Sequence, residues 1–523
     1  VCKKVITFII TIISICACSS IKPNYQAKIN KYTLHHFKNT TFESTTLIYT
    51  YNTESLEKNY HAIFCSQLSN CEDNINNVKN TQEFGGFDLN KSPIKNNPYN
   101  IKTIDLFRIT YSTTGQLNES EIVSGGIYYP NMPKDKIKGV VLFFHPTFFA
   151  KSSVNTYAPQ NKVNRSLAAL FAAQGYIVVT PDYIGMGYNK KQVHPYVLYP
   201  QINAIDGLSI LTAAKKFLTN ESKLPNNLNK TPLYLTGYSE GSAYALWFSR
   251  LYQEQPKFKT QLDKINFDLK LVAPISGAYN LSGVIYNYLF SNNNTFNKSE
   301  YAISNSLISG SLKAPLAADA LVSYAYYSES SNYNNVFNPE FFSMGCTLQF
   351  DSSCSFNNKK LNLEQAFAIE SKDLSIPVAD NLLDVLIVNK INNAASYKTN
   401  NNHMFTIWTN SIYPLVSTKL LHNSQLEYLM REGDVYYWKS DIPTTLITLK
   451  RDSVVSPINT EFAYRGMTEN YSTNINKIEI DNNLIDNKLS SAIPSMEVDH
   501  LTGLFYLFII AQKQFDLYNH IKN

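Results

Sequence analysis

The run Thr236-Gly237-Tyr238-Ser239-Glu240-Gly241-Ser242 constrains this chain more than any other segment. It follows the apolar piece Leu233-Tyr234-Leu235 and opens a stretch, Ser239 to Gln253, with apolar residues at helical spacing. A strand therefore passes into a helix with almost no linker. So sharp a turn strains its central residue and leaves no room for bulk beside it, which is why a glycine stands two positions to either side of Ser239. A serine presented this way is a candidate nucleophile, and its weakly acidic hydroxyl then needs a base within hydrogen-bond reach.

The rest of the chain agrees with a strand-turn-helix architecture. From Ile101 onward, apolar runs alternate with helix-period segments, the pattern of a mostly parallel sheet covered on both faces. Eight strands are predicted: Leu106–Ser112, Ile122–Tyr129, Gly139–Phe144, Ile177–Pro181, Leu233–Thr236, Leu269–Pro274, Thr444–Leu449 and Ile475–Ile480. Helices are predicted over Asn161–Gln174, Gln201–Leu218, Ser239–Gln253, Asn459–Glu469 and Leu501–Leu517. The stretch between Pro274 and Thr444 far exceeds the roughly 2 to 6 residues of an ordinary connection in such units, so it is read as a cap, or lid, insertion. It carries the aromatic cluster Tyr324, Tyr326 and Tyr327 and a helical stretch near Leu363–Leu386 that Pro377 interrupts. The expected organisation is a leader over 1–18, a polar, Asn-rich tether or N-terminal extension over 19–100 with broken strand-like pieces such as Thr46–Tyr51, a core over 101–283 and 441–523, and the cap over 284–440.

With 44% hydrophobic and 17% charged residues the chain can bury a large core, and a net charge of +5 without a basic stripe excludes a nucleic-acid partner. Lys3 and Lys4 followed by the apolar run Val5–Ile15 read as an export signal, too short to span a membrane as a mature helix. Its end, Ile15-Cys16-Ala17-Cys18, resembles a bacterial lipobox, which implies lipidation at Cys18 and anchoring to a membrane through that lipid. Ser19 in place of Asp resembles lipoproteins sorted to the outer membrane; the alternative is an ordinary cleaved signal and a periplasmic or secreted protein. Cys65 with Cys71, and Cys346 with Cys354, form two local pairs expected to be disulfides in an oxidising compartment. No histidine stands at ligand spacing near either pair, which argues against a metal.

Several further pieces occur in order: Phe144-His145-Pro146-Thr147-Phe148-Phe149, Pro181-Asp182-Tyr183-Ile184-Gly185, His194-Pro195-Tyr196, the Ser239 segment, Ala273-Pro274-Ile275-Ser276-Gly277-Ala278-Tyr279-Asn280-Leu281, and Tyr437-Trp438 ahead of Asp452. Together they resemble the secreted lipase and esterase branch of the α/β-hydrolases. The resemblance covers the chain from about Ile101 to Asn523, apart from the cap. It implies hydrolysis of a small-molecule or lipid ester through an acyl-enzyme, without metal or organic cofactor. The same fold also hosts peptidases, acyltransferases and inactive binding proteins.

The family's chain order of serine, then acid, then histidine assigns the partners of Ser239. His500, in Val498-Asp499-His500-Leu501, stands just before the closing helix, whereas His520 is near the terminus. Asp452 follows the strand Thr444–Leu449 in a loop that resembles the family's acid loop, with Asp481, Asp486 and Asp499 as competitors. The oxyanion donors implied are the amides of Glu240 and of the loop after the third strand. There Pro146 stands where the family carries glycine and has no N–H, so the donor becomes Thr147, whose hydroxyl is a further candidate. His145, Asp182, Tyr183, His194 and Asp206 are expected to brace the structure rather than react.

Overall fold

The computed structural model describes residues 40–56, 99–149, 151, 153–157, 162–189, 192–225, 230–290, 307–328, 336, 424–482 and 499–522. The leader with Cys18, both cysteine pairs, the stretch near Leu363–Leu386 and Asp486 lie outside the described residues.

Nine strands form one sheet among the described residues: β1 (Phe42–Asn52), β2 (Thr103–Thr114), β3 (Ser120–Pro130), β4 (Gly139–Phe144), β5 (Tyr176–Pro181), β6 (Thr231–Tyr238), β7 (Phe267–Ile275), β8 (Thr444–Leu449) and β9 (Ile475–Ile480). Their spatial order is β1-β2-β3-β5-β4-β6-β7-β8-β9. β1, β2 and β3 run antiparallel to their neighbours, and every pairing from β5 to β9 is parallel. The helices are α1 (Lys162–Ala173), α2 (Pro200–Asn220), α3 (Glu240–Glu254), α4 (Pro256–Lys264), α5 (Tyr286–Phe290), α6 (Leu307–Tyr327), α7 (Ser424–Glu432), α8 (Ile458–Glu469) and α9 (His500–Lys522).

Period-two alternation divides the strands between two apolar layers. Val140, Leu142 and Phe144 of β4 join α2, α3 and α8 on one face, while Val141 and Phe143 join α1 and α9 on the other. β6 does the same, with Leu233 and Leu235 on the first face and Tyr234 and Tyr238 on the second. Both faces are covered, so these strands read in sequence as nearly unbroken apolar runs.

The eight expected strands are all present as β2 to β9. The ninth, β1, comes from the segment assigned to the tether and pairs antiparallel with β2. Its residues are mostly exposed and its register slips between Phe42 and Ser44 and between Leu47 and Tyr49, so the sequence marks it only by the broken strand-like piece Thr46–Tyr51. β2 runs past its apolar part because Ser112, Thr113 and Thr114 are buried in the hairpin with β3; Thr113 Oγ1 donates to Ser209 Oγ of α2 at 3.0 Å. α4 was not expected: it buries only Phe258 and Leu262, one turn apart, behind Pro256 at its first position.

The long insertion between β7 and β8 leaves and rejoins the core at one place. The amide of Val435 donates to the carbonyl of Tyr279 at 2.9 Å, and Asp434 accepts from the Ser282 amide at 3.0 Å and hydroxyl at 2.6 Å. From the insertion, α6 lays Ala317, Leu321 and Tyr324 into the core layer of α2 and α3. Its Tyr326 and Tyr327 hydroxyls donate to Gln192 Oε1 at 2.8 Å and the Val193 carbonyl at 2.5 Å, so the aromatic cluster read from the sequence seats this helix on the loop after β5.

The closing helix α9 is anchored through Phe515, fully buried with its ring centroid 5.0 Å from Tyr234 and 5.8 Å from Phe171. Phe515→Ala is expected to cost about 3 to 5 kcal/mol of folding free energy, as the removal of a fully packed aromatic does. Denaturant unfolding measures it; a loss below about 1 kcal/mol would mean that this ring does not anchor the helix.

Candidate active site

Strand order places the site. From β4 the chain passes to β5 on one side and then crosses to β6 on the other, so the loops after β4 and β6 diverge and open a crevice at the carboxyl edge of the sheet. Ser239 stands at that edge, between β6 and α3, with φ 55° and ψ −116°. A non-glycine residue at positive φ is costly and persists only where its surroundings hold it. Here the holding contacts are specific. A Cβ on Gly237 would meet the Gly241 carbonyl oxygen at 2.2 Å, and one on Gly241 would meet the Phe144 carbonyl oxygen at 2.2 Å. The Ser239 amide donates to the Ile275 carbonyl at 3.0 Å. Ser242, which the sequence left without a role, ties the turn to β7: its hydroxyl accepts from the Ile275 amide at 2.6 Å and lies 2.8 Å from the Gly237 carbonyl.

Asp452 and His500, 48 positions apart, meet in the fold. Asp452 Oδ2 accepts from His500 Nδ1 at 2.8 Å, and its Oδ1 accepts from the amides of Val454 and Val455 at 3.0 and 2.8 Å. Both residues are buried, at 3% and 4% exposure. His500 is the first residue of α9 rather than part of the loop before it. Its ring packs on Tyr238, the residue before Ser239, with 4.9 Å between centroids, and its carbonyl accepts the Tyr238 hydroxyl proton. Of the competing acids, Asp481 accepts from Lys450 at 3.3 Å. Asp499 instead joins the acid loop to α9: its carboxylate accepts from the amides of Ser453 and His500, each at 2.7 Å, and from the Ser453 hydroxyl.

The two expected oxyanion residues also come together. Glu240 opens α3 with its side chain buried, and its Oε2 accepts the Thr147 hydroxyl proton at 2.7 Å. That hydroxyl is therefore spent on a carboxylate, which corrects the expectation that it is available to an oxyanion. Its amide is unaffected. Glu240 Oε1 also lies 2.7 Å from His194 Nε2 and accepts from Tyr244 at 2.5 Å. From the cap, buried Asp319 of α6 faces the same pair; burial pushes its carboxyl up to about 7, against the pull of His194.

The remaining polar residues brace the floor, as their sequence context suggests. His145 is sandwiched by Tyr183 and Phe148 at 4.0 and 4.7 Å, and burial lowers its pKa to about 4, so it is neutral at pH 7. Asp182 accepts from Ser124 at 2.6 Å and from Thr156, and burial raises it to about 6. Asp206 accepts from Tyr111 at 2.9 Å and is raised to about 7, again by burial first. Among the described residues no group of His, Cys, Asp and Glu side chains could hold a metal ion.

No protein-family profile matches the chain, and no curated protein sequence does. Solved structures do match it. A Legionella pneumophila protein provisionally classed as a hydrolase aligns over 91% of this chain and 98% of its own, with TM-score 0.57 at 16% identity. The rice cell wall degrading esterase LipA from Xanthomonas oryzae aligns over 91% of this chain and 97% of its own, with TM-score 0.57 at 16% identity. The chain has the α/β-hydrolase fold. Within it, β1 extends the antiparallel edge of the sheet, and the insertion between β7 and β8 stands where a lid would cover the carboxyl edge.

Asp206 gives this fold a testable pH signature. Its folded pKa lies above the ordinary value of 3.8, so the native state holds a proton that the unfolded chain releases first. The stability this contributes is complete below about pH 4 and is lost as pH rises toward about 7. Denaturant midpoints taken at pH 4.5 and 7.5 should show a smaller fall for Asp206→Asn than for the wild type. An unchanged slope would mean that Asp206 is ionised throughout.

Proposed function

We propose that the protein is a serine hydrolase of carboxylic esters, an esterase or lipase, working through an acyl-enzyme. The observation that carries this reading is the buried 2.8 Å contact between Asp452 Oδ2 and His500 Nδ1 at the strained turn that presents Ser239. With Nδ1 held by Asp452, Nε2 is the ring nitrogen available to take the Ser239 proton as Oγ attacks the ester carbonyl. The carbonyl oxygen becomes an oxyanion, which accepts from the amides of Glu240 and Thr147. His500 then returns its proton to the departing alkoxide. Water, deprotonated by the same nitrogen, attacks the acyl-enzyme and frees the acid and Ser239.

Asp452 holds the tautomer and stabilises the imidazolium without taking the proton itself, because its second oxygen is tied to two amides. Likeness in fold to the esterase LipA supports an ester as substrate. The leader motif ending at Cys18 supports an exported enzyme tethered to a membrane by a lipid on that residue.

Ser239→Ala should abolish both labelling by a fluorophosphonate probe and turnover of aryl esters; labelling that persists would remove Ser239 from the chemistry. Asp452→Asn should keep the fold and lower kcat by about 10⁴-fold at neutral pH, because the amide favours the wrong histidine tautomer. A loss of less than about tenfold would argue that another acid serves His500.

A further inference from the structure

The side chain of Glu240 lies next to the nucleophile yet takes no part in the steps above. A carboxylate buried beside the place where an oxyanion forms is a liability, since like charge opposes like charge in a medium of low polarity. This one is fully compensated. It sits on the first residue of α3, where the helix dipole favours negative charge, and it has three side-chain partners from three elements: Thr147 after β4, His194 after β5 and Tyr244 of α3.

The protons can be placed from the partners. His194 Nδ1 lies 2.9 Å from the Ile184 carbonyl, which can only accept, and Nε2 lies 2.7 Å from the carboxylate. Beside an ionised Glu240 both ring nitrogens face acceptors, an arrangement the imidazolium satisfies. Burial disfavours that charge, and the charge and hydrogen bond of Glu240 outweigh it, so the pKa of His194 is raised. Thr147 donates its only hydroxyl proton to Glu240, so the Tyr196 hydroxyl, 3.1 Å away, donates to Thr147 Oγ1. Every rotor in the chain Tyr196–Thr147–Glu240–His194–Ile184 thereby has one setting.

We propose that the Glu240 side chain is a positioning residue: a buried clamp that holds the loops after β4, β5 and β6 in register, so that the Thr147 and Glu240 amides point at one oxyanion. The inference rests on the reading of Ser239 as the nucleophile. His194 neutralises the clamp, so that the carboxylate does not repel the charge its neighbours are there to stabilise. Because both amides belong to residues joined by the same 2.7 Å hydrogen bond, loosening either end loosens the pair.

The test is a double-mutant cycle with a conservative rescue, using E240Q, T147V, the double variant and T147S on a short-chain aryl ester. Thermal unfolding checks the fold, and end-point fluorophosphonate labelling counts intact sites. E240Q and T147V are each expected to lower kcat per labelled site by about 10- to 100-fold, with KM within about threefold, as for donors displaced by a fraction of an ångström. The double variant should be no worse than the poorer single one, and T147S should recover to within about threefold of wild type. Losses that simply multiply in the double variant, kcat values near wild type, or T147S as impaired as T147V would each overturn the clamp. If E240Q does not fold, T147S against T147V still decides. A wild type that neither labels nor turns over esters would bring down the serine hydrolase reading and the clamp with it. An active wild type with a dead Ser239→Ala, beside unimpaired E240Q and T147V, would bring down the clamp alone.

Discussion

Everything at the carboxyl edge of the sheet depends on Ser239 being held at φ 55° and ψ −116°. Such a backbone costs on the order of 1 to 3 kcal/mol and relaxes unless its surroundings forbid it. They do so by proximity. Gly237 lets the turn close on the Gly241 carbonyl, Gly241 lets it close on the carbonyls of Phe144 and His145, each at a distance no side chain permits, and Ser242 fastens it to Ile275. The loop after β4 is thereby fixed by the same close approach, and that loop and the elbow become one object.

A second constraint is charge in a dry interior. Asp452 has amides and an imidazole around it, Glu240 has two hydroxyls and an imidazole, and Asp499 has two amides and a hydroxyl. Asp182, Asp206 and Asp319 are less well compensated, and burial raises their pKa values to about 6 or 7.

Much of this was legible in the chain. The eight core strands could be read because each is buried on both faces and so appears as an apolar run with a polar or glycine boundary. Ser239 could be read because strain and crowding at a strand-to-helix turn admit few residues other than glycine on either side. Asp452 and His500 could be read only through the order of pieces in a resembling family, since 48 residues separate them and no local pattern joins them. β1 showed only as the strand-like piece Thr46–Tyr51 and α4 was missed, for a shared reason: each buries too little of its surface to leave a full periodic signature.

The sequence by itself determined the elbow and the core strands, because each follows from local sterics or strand burial, and the missing N–H of Pro146 moved the expected second donor to Thr147. Only the tertiary structure decided how the buried acids divide their work. Asp452 reaches His500, Asp499 ties the acid loop to α9, Asp481 pairs with Lys450, and Glu240 takes up the Thr147 hydroxyl and His194. The physical reason is that a carboxylate looks the same in any sequence. Its role is set by the donors that distant strands bring within about 3 Å of it, and that distance exists only once the sheet has formed.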